Sequence, residues 1–530
     1  MSLRNAAGII FGKVMDESSP RPPSTEPRFD RRALIALAGG LAVAAIEAKA
    51  GHAIPLPAAT GSWELPAHDL AATRRGGRIA GTRVDWRTEL RGGAAGAPAI
   101  VGGSVFAASI GGVIASFDLA TGHAHWRRRF TTPAYGSGAG ARRLGFFGGV
   151  AVADGRVVAA SDRVVALDKR TGRTIWRSKP LRTSTSDDYF WGPPVVVRGL
   201  VLVGSGSGAE LPTARGRLSA YSLRDGSLVW STPTVPPGAN GGGVIAPASV
   251  DLRANLAYVA TGSPYRALPG PNPGTDSLLA LRLSDGAIVW SDQVYRGDTH
   301  GFDFNSAPVI LGRILVAASK DGFHAWDRVT RQHIWYRRLT PPLSSKNGVA
   351  GPMNGPEGGP VATDGRRIYV LSNDAARNSC VAAALAPATG HVLWRRRLPS
   401  FSFAAPVVAG DRLFAAGADG TLRGLATATG KVVAAVPLGA PSTGAPAVAE
   451  GRLIVGAGAE PLPAGPPSRL HPISASLRVS GRRRGRRQRR EPSTRPGGSL
   501  RHGGSSCRFS ARPREGRPRR PLPPTRRAES

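Results

Sequence analysis

The sequence predicts an all-β protein, an eight-bladed β-propeller with seven blades as the alternative count, and two observations support this prediction. First, one hairpin pattern recurs seven times between Asp118 and Ala434, each time as a polar turn followed by a short strand that ends in Trp in six of the copies. Second, the turn positions are spaced 50, 54, 60, 45, 59 and 40 residues apart. Periods of this length with several short strands are typical of propeller blades, not of helical solenoids.

Each copy of the pattern has the chemistry of a tight β-hairpin. In the second copy, Asp168-Lys-Arg-Thr-Gly172 precedes a strand that ends at Trp176. Glycine supplies the positive φ that such a turn requires, and Asp or Thr side chains hydrogen-bond the turn backbone. The seven turns are centred, in order, on Gly122, Gly172, Gly226, Gly286, Arg331, Gly390 and Gly430, and the last copy has lost its Trp.

The eighth blade is predicted to be built from both ends of the repeat region. A lone Trp-ended strand, Val84-Asp-Trp86, precedes the first turn and has no turn of its own. We expect it to complete the blade begun by Gly451-Arg-Leu-Ile-Val455, because such closure leaves no exposed sheet edge. The propeller is therefore expected over residues 60–458.

The N-terminal flank, residues 1–53, has the pattern of an export signal. Arg31-Arg32 precedes the apolar run Ala33–Ile46, and Ala48-Lys49-Ala50 then fits cleavage between small residues. The paired arginines also resemble a twin-arginine signal. The run is shorter than the roughly 20 residues of a membrane span, so we expect no span beyond the signal and a periplasmic or extracellular location. An N-terminal anchor and a buried helix are the alternatives.

The formal net charge of +35 is concentrated at the C-terminal end. Residues 459–530 lack strand periodicity, and the last 65 residues contain 19 Arg against 3 Glu, with no Lys or Asp. One interpretation is a disordered arm that binds polyanions. The other is the product of a shifted reading frame, since the change interrupts the closing blade. The high net charge is therefore a property of the tail more than of the propeller. For this reason, no specific nucleic-acid partner is expected.

The sequence lacks the motifs of disulfide-rich proteins, of proteins with covalent haem, of zinc proteins and of nucleotide-binding proteins. The two cysteines, Cys380 and Cys507, are too few for a disulfide framework, and no CxxCH motif for covalent haem occurs. The ten histidines do not cluster with metal-ligand spacing. No phosphate loop or dinucleotide fingerprint is present.

The turn pattern Asp-x-x-Thr-Gly-x-x-x-Trp resembles the tryptophan-docking repeat of the quinoprotein alcohol dehydrogenases, which bind pyrroloquinoline quinone (PQQ). The resemblance extends from about Trp63 to Gly458, and the layout is most similar to the polyvinyl-alcohol-dehydrogenase branch. It implies PQQ and Ca²⁺ as cofactors. Because non-enzymatic propellers share the repeat, function has to be argued from the site.

The first similar segment is Ser207-Gly208-Ala209-Glu210, which follows a glycine-rich strand. In the family such a segment lies against the quinone, which implies that Ser207, Gly208 and Ala209 contact PQQ and that Glu210 binds calcium. A carboxylate at the end of a glycine-rich stretch suits a hard cation, and the glycines let backbone approach a flat ligand.

Two further segments supply a general base and a cation. His300-Gly-Phe-Asp303 resembles the stretch with the general base, which implies that Asp303 takes the alcohol proton and also neighbours the calcium. The flanking Phe302 and Phe304 are expected to desolvate Asp303 and raise its basicity. Lys320 matches a cation that contacts the quinone oxygens, where it would stabilise developing charge.

Three departures from the family pattern favour weak cofactor binding. Ile245 stands where a stacking Trp is expected, and the lost ring is worth about 0.5–1.5 kcal/mol. Ser263 stands where the family has a calcium-binding Asn, and its hydroxyl is a poorer ligand that still permits calcium. The adjacent cysteine pair that caps the quinone is absent.

Two functions from different classes remain open. The first is an exported PQQ- and calcium-dependent dehydrogenase that oxidises a small or polymeric alcohol by hydride transfer to the quinone. Its electrons would pass to an external acceptor such as a cytochrome, because the chain has no haem-attachment motif. The alternative is a non-catalytic propeller that acts as a binding or assembly platform in the cell envelope, which the three departures favour.

Overall fold

A computed structural model of the chain describes residues 61–79, 81–135, 142–181, 187–208, 214–265, 272–341 and 354–458, together with 476–477 and 479–480. The expected export signal lies outside these residues. So does the Arg-rich tail, apart from residues 476–477 and 479–480. No helix in the described part of the chain is both long and apolar enough to cross a membrane.

Seven antiparallel sheets of four strands follow one another along the chain, and we number them blades 1 to 7. Within each blade, consecutive strands are hydrogen-bonded neighbours, so the first and fourth strands are the outermost of the four. Two short strands extend this pattern: Arg75–Gly76 pairs in parallel with the first strand of blade 7, and Asp188–Tyr189 pairs with the second strand of blade 3. The strands are Ala99–Val101, Ser104–Ala108, Val113–Asp118 and Ala124–Arg129 in blade 1; Val150–Ala153, Arg156–Ala160, Val164–Asp168 and Thr174–Arg177 in blade 2; Val195–Val197, Leu200–Ser207, Arg217–Ser222 and Leu228–Pro233 in blade 3; Ser249–Asp251, Leu256–Ala260, Ser277–Arg282 and Ile288–Gln293 in blade 4; Val309–Leu311, Ile314–Ala318, Phe323–Asp327 and Gln332–Arg337 in blade 5; Val361–Thr363, Ile368–Asp374, Ser379–Leu385 and Val392–Leu398 in blade 6; and Val407–Ala409, Arg412–Ala416, Thr421–Ala426 and Val432–Pro437 in blade 7. Shorter elements are the strands Arg75–Gly76, Trp86–Arg87, Ala134–Tyr135, Arg142–Arg143 and Asp188–Tyr189, and the 3₁₀ turn Ala375–Arg377.

A three-stranded sheet lies where the sequence predicted an eighth blade. It consists of Ala447–Ala449, Arg452–Ile454 and Val479–Ser480, and its first strand contacts the first strands of blades 1 and 7. Trp86–Arg87 pairs with Ser476–Leu477. The prediction of eight blades is therefore not supported, and seven is the number of complete blades in the described chain. The physical reason is that the repeat of a glycine turn and a Trp-ended strand stops after Gly458, so this sheet has three strands in the described chain and lacks the fourth of a complete blade.

In five of the seven blades, a tryptophan of the fourth strand packs on the turn glycine of the next blade. The indole N–H of Trp126 donates to the carbonyl of Lys169 at 3.1 Å. A Cβ on Gly172 would lie 2.5 Å from the same indole ring, so only glycine fits beneath it. The same contact joins Trp86 to Gly122, Trp176 to Gly226, Trp230 to Gly286, Trp335 to Gly390 and Trp394 to Gly430. These contacts confirm the predicted hairpin repeat and its tryptophan docking.

A second brace between blades was not predicted. Two residues after the tryptophan, Arg128 donates to the carbonyl of Gly172 at 2.9 Å. Thr232 and Arg337 make the equivalent bonds to the turn glycines of the following blades, at 2.7 and 3.0 Å. Arg and Thr are chemically different and share only the ability to donate a hydrogen bond. The position two residues after the tryptophan therefore shows no common residue type in the repeat.

Residues 63–76, which we call the axial segment, run along the first strands of the blades, whose inner edges line the centre of a propeller. Backbone N–H groups of the first strands donate to carbonyls of this segment: Val152 to Glu64, Val250 to Leu70, Ile310 to Ala71, Thr363 to Thr73 and Val408 to Arg74, at 2.7–3.0 Å. Trp63 exchanges two such bonds with Ile100 of blade 1. The segment therefore satisfies edge groups of six blades that would otherwise lack strand partners.

Candidate functional site

Three predicted site residues, Asp303, Ser263 and Lys320, lie together where blades 4 and 5 meet. Ser263 follows the second strand of blade 4, Asp303 lies in the connection from blade 4 to blade 5, and Lys320 follows the second strand of blade 5. Oδ1 of Asp303 accepts hydrogen bonds from the backbone N–H and the hydroxyl of Ser263, both at 2.6 Å. The Nζ atom of Lys320 lies 2.7 Å from Oδ2 of Asp303.

The local backbone holds this carboxylate in place. A Cβ on Gly262 would lie 2.9 Å from Oδ1 of Asp303, so glycine makes room for the carboxylate. The backbone N–H of Lys320 donates to the carbonyls of Phe302 and Asp303, at 2.7 and 3.2 Å. Asp303 itself has a φ of +23°, a conformation that non-glycine residues adopt rarely and often at functional sites.

The charge state of Asp303 is set by two opposing effects. Burial raises the pKa of its carboxyl group, but the Lys320 ammonium and the hydrogen bonds from Ser263 outweigh burial, so the pKa lies below its ordinary value. The expectation that desolvation would make Asp303 a stronger base is therefore wrong in direction. Asp303 is ionised at neutral pH, and its basicity depends on the position of Lys320.

Three acidic residues near this site were missed from the sequence. Asp298 accepts the backbone N–H groups of His300 and Phe302, at 2.6 and 2.7 Å. Asp276 is completely buried, and neither of its carboxylate oxygens has a hydrogen-bond partner among the described residues. The third is Glu357, which accepts a hydrogen bond from Asn305. Each is a single acidic residue in a loop, so no motif singled it out.

Glu357 lies on the blade 6 side of the same region. Its Oε2 accepts the side-chain N–H of Asn305 at 2.8 Å, whereas its Oε1 is buried without a partner in the described chain. Burial raises the pKa of Glu357 to about 8, although the charge of Lys320 opposes this shift. Glu357 therefore holds its proton at neutral pH and adds a neutral acid to the region.

The predicted quinone-contact residues Ser207 and Gly208 lie at the end of the long second strand of blade 3. The Ser207 hydroxyl donates to Oδ2 of Asp187 at 2.6 Å. A Cβ on Gly208 would lie 2.2 Å from the Tyr135 ring, so the backbone here packs directly against an aromatic face. Ala209 and Glu210, the rest of the predicted segment, lie outside the described residues, and their roles stay predictions.

The segments around Ser207, Ile245 and Ser263 are joined through backbone. The N–H of Val244 donates to the carbonyl of Ser205 at 3.1 Å, and the N–H of Gly262 donates to the carbonyl of Gly243 at 2.9 Å. The Tyr265 hydroxyl accepts the N–H of Ser207 at 3.0 Å. The structure thus places the three predicted segments of blades 3 and 4 side by side.

Ile245 and two aromatic residues border this region. Ile245 is 39% exposed, so its side chain is accessible to a ligand in this region. Trp191 donates its indole N–H to the carbonyl of Ser207 at 2.8 Å. Tyr265 and Trp191 had no signal in the sequence beyond being aromatic residues in loops.

The described residues fit a hard cation and a flat quinone, although they do not form a complete metal cluster. No three His, Cys, Asp or Glu side chains converge on one point within the described chain. The carboxylate of Asp303, the hydroxyl of Ser263 and the unpartnered carboxylate of Asp276 are nevertheless oxygen donors of the kind that calcium prefers. The glycine backbone, the exposed Ile245 and the cationic Lys320 suit a flat anionic ligand.

Comparison with known proteins identifies the repeat. The family model PQQ_2, described as outer membrane protein assembly factor BamB, matches residues 68–144, 136–352 and 343–460. Polyvinylalcohol dehydrogenase from Sphingopyxis sp. is 26% identical over 456 residues, which cover 71% of this chain and 66% of that protein. Outer membrane protein assembly factor BamB from Bordetella pertussis is 27% identical over 65% of this chain and 75% of that protein.

Solved structures support the same fold. A quinohemoprotein alcohol dehydrogenase, ADHIIG from Pseudomonas putida, superposes with a TM-score of 0.65 at 19% identity and covers 82% of each chain. Identity at this level shows the fold alone. The chain spans 66%, 29% and 51% of the length of three dehydrogenases that it matches in sequence, so it corresponds to part of each of them.

Proposed function

For this chain, which belongs to the PQQ_2 family of β-propellers, we propose the function of an exported PQQ- and calcium-dependent alcohol dehydrogenase. The observation that supports it is the Asp303–Ser263–Lys320 arrangement, in which an ionised, hydrogen-bonded carboxylate lies beside a lysine. The dehydrogenases among the relatives, including the polyvinylalcohol dehydrogenase of Sphingopyxis sp., support the same proposal. The cofactors, the substrate and export are parts of the proposal.

Each proposed role follows from the chemistry of the residue. When bound, PQQ supplies a two-electron acceptor and calcium supplies a Lewis acid. Asp303 takes the proton of the alcohol hydroxyl, because it is ionised at neutral pH. Ser263 holds Oδ1 of this carboxylate through two hydrogen bonds and so orients Asp303. The residues proposed to hold PQQ are Ser207, Gly208, Ala209, Ile245 and Lys320, and those proposed to hold calcium are Glu210, Ser263 and Asp303.

Lys320 regulates the strength of the base. While its ammonium pairs with Oδ2 of Asp303, the pKa of Asp303 stays below its ordinary value despite burial, and the carboxylate is a weak proton acceptor. A lysine that turns toward an anionic ligand leaves Asp303 in a buried setting, where burial raises its pKa. Ligand binding and base strength are therefore coupled through one side chain.

The proposed partners follow from the relatives and from the sequence. The substrate is an alcohol, either small or polymeric, and one relative is a dehydrogenase of the polymer polyvinyl alcohol. Electrons leave to an external acceptor such as a cytochrome, because the chain has no CxxCH motif for haem of its own. Export through residues 1–53 would place the protein in the periplasm or outside the cell.

A non-catalytic platform in the cell envelope is the second candidate function. The family description and the BamB relative, of which the match covers 75%, support it. The replacement of the stacking Trp by Ile245 and of a calcium-binding Asn by Ser263 also supports it, since a platform needs neither group. This function leaves the Asp303–Lys320 pair without a task.

Thermal unfolding of the full chain with PQQ separates the two functions. In calcium, PQQ at 100 times its Kd should stabilise the protein by about 2.7 kcal/mol, and a chelator should remove the effect. Lys320→Gln should reduce the shift, whereas Lys431→Gln, an exposed lysine in the blade 7 turn, should leave it unchanged. If saturating PQQ stabilises neither the calcium-loaded nor the chelated protein, the dehydrogenase proposal fails and the platform is favoured.

A further inference from the structure

Asp276 is the buried acidic group for which the fold provides no partner. Its side chain has no exposed surface, and both carboxylate oxygens lack hydrogen-bond partners in the described chain. Its backbone is firmly held, because its N–H donates to the carbonyl of Gly262 at 3.1 Å and its carbonyl accepts the N–H of Val294 at 3.0 Å. An ionised carboxylate is strongly disfavoured in such a place unless a positive charge compensates it.

The position of Asp276 connects it to the proposed site. Gly262, to which its backbone is bonded, is the residue whose missing Cβ makes room for Oδ1 of Asp303. The charges of Asp303 and Asp298 act on Asp276, and together with burial, which is the larger cause, they raise its pKa to about 9. Three carboxyl groups thus act on one another next to Lys320, of which Asp276 and Asp298 have completely buried side chains and Asp303 is partly exposed.

The other two carboxylates in this region are already bonded. Asp298 accepts two backbone N–H groups of its own loop, and its side chain is completely buried. Asp303 accepts two bonds from Ser263 and pairs with Lys320. Asp276 is therefore the carboxylate whose two oxygens are available for a ligand that the polypeptide does not supply.

We propose that Asp276 is a ligand of a calcium ion bound between it and Asp303, with the Ser263 hydroxyl as a further oxygen donor. This inference deepens the proposed function and rests on it, and it adds a residue that the family resemblance does not supply. Carboxylate and hydroxyl oxygens are ligands that calcium takes in flexible arrangements, and each additional carboxylate tightens binding through its charge. The ion would supply the positive charge that the buried Asp276 lacks.

The proposal assigns Lys320 an opposing part. Its ammonium occupies Oδ2 of Asp303 and repels a cation, so it competes with calcium for the same carboxylate. Removing the lysine charge should strengthen cation binding, and removing the Asp276 charge should weaken it. If Asp276 and Lys320 had only a structural role, removing their charges would not change the affinity for the cation.

The experiment measures cation binding without quinone or alcohol. Full-length protein freed of metal with a chelator is titrated with Tb³⁺, followed by its luminescence, and the bound ion is displaced with Ca²⁺. We expect one tight site in the wild type, at least tenfold weaker binding in Asp276→Asn, and tighter binding in Lys320→Gln. Asp285→Asn, which removes an exposed turn carboxylate from the same blade, is the matched control and should bind as the wild type does.

The outcomes separate this inference from the proposed function. Asp276→Asn is expected to fold, because it removes a buried charge and keeps the shape of the side chain, and circular dichroism verifies this. A folded Asp276→Asn protein that binds Tb³⁺ and Ca²⁺ as tightly as the wild type overturns the inference, as does a wild type that binds neither ion. Failure of the dehydrogenase proposal would show instead in the PQQ-dependent unfolding temperature.

Discussion

The carboxyl group of Asp276 makes protein stability depend on pH in the direction opposite to that of a salt-bridged carboxylate. Burial, reinforced by the charges of Asp303 and Asp298 and opposed by the Thr275 side chain and by the charge of Lys320, raises its pKa to about 9 in the folded protein. In the unfolded chain the pKa is near 3.8, the ordinary value. Because the folded state keeps the proton, the contribution of Asp276 is fully present below pH 3.8 and is lost as the pH rises toward 9.

The size of the effect follows from the two pKa values. Between pH 5 and pH 8 the unfolded chain is ionised at this position while the folded protein stays protonated. Each pH unit then lowers the free energy of unfolding by 1.36 kcal/mol, so three units lower it by about 4 kcal/mol. For a propeller of roughly 400 residues, whose unfolding entropy is about 0.8 kcal/mol/K, this corresponds to a Tm change of about 5 °C.

The substitution Asp276→Asn removes the titrating group. In chelator, the Tm of the variant relative to the wild type should rise by about 5 °C between pH 5 and pH 8, as measured by calorimetry. Asp285→Asn, in an exposed turn, should follow the wild type across this range. If the Asp276→Asn and wild-type profiles run parallel within about 1 °C, the carboxyl group is not held neutral and the reasoning from its burial is wrong.

Three further predictions concern the base, the docking contacts and the axial segment. Lys320→Gln should raise the pKa of Asp303, because burial then acts without the opposing ammonium; NMR titration of the carboxyl carbon measures this, and an unchanged pKa contradicts it. Trp176→Ala should cost about 3–5 kcal/mol in chemical denaturation, because it leaves a cavity and an unbonded carbonyl between blades 2 and 3; a loss below about 1 kcal/mol contradicts it. Gly76→Ala should lower the Tm, because its Cβ would lie 2.3 Å from the carbonyl oxygen of Val448 in the three-stranded sheet, whereas Gly77→Ala, with open space around it, is the matched control; equal Tm values for the two variants contradict it.

The propeller could be predicted because its repeat consists of particular side chains at fixed positions. A glycine turn and a tryptophan four residues later recur because the ring needs a glycine beneath it, as at Gly172 and Trp126. The number of blades could not be predicted in the same way. It depends on whether strands continue after Gly458, where the repeat pattern stops.

The axial segment had no sequence signal because it acts through its backbone. Glu64, Leu70 and Arg74 share no side-chain chemistry, yet each offers a carbonyl to the first strand of a blade. Every residue has a backbone carbonyl, so almost any residue type could accept such a bond. A sequence pattern is made of side chains, so these backbone bonds leave no pattern in the sequence.

The meeting of Asp303, Ser263 and Lys320 was predictable through the family resemblance, whereas the electrostatics were not. The resemblance concerns positions in a pattern, and it correctly brought the three segments together. The direction of the Asp303 pKa shift depends on the 2.7 Å distance between its carboxylate and the Lys320 ammonium. A sequence does not contain such a distance. Asp276 was missed for the same reason, since its lack of a partner is a property of its surroundings.

The axial segment also bears on the order in which the chain folds. Its bonds join Trp63 to Ile100 and Arg74 to Val408, partners that are 37 and 334 residues apart along the polypeptide. Contacts of such long range slow folding, because the intervening chain must lose its freedom before they form. A ribosome makes this segment before any blade, but its last bonds have to wait until blade 7 is in place. The segment is therefore synthesised first and secured last.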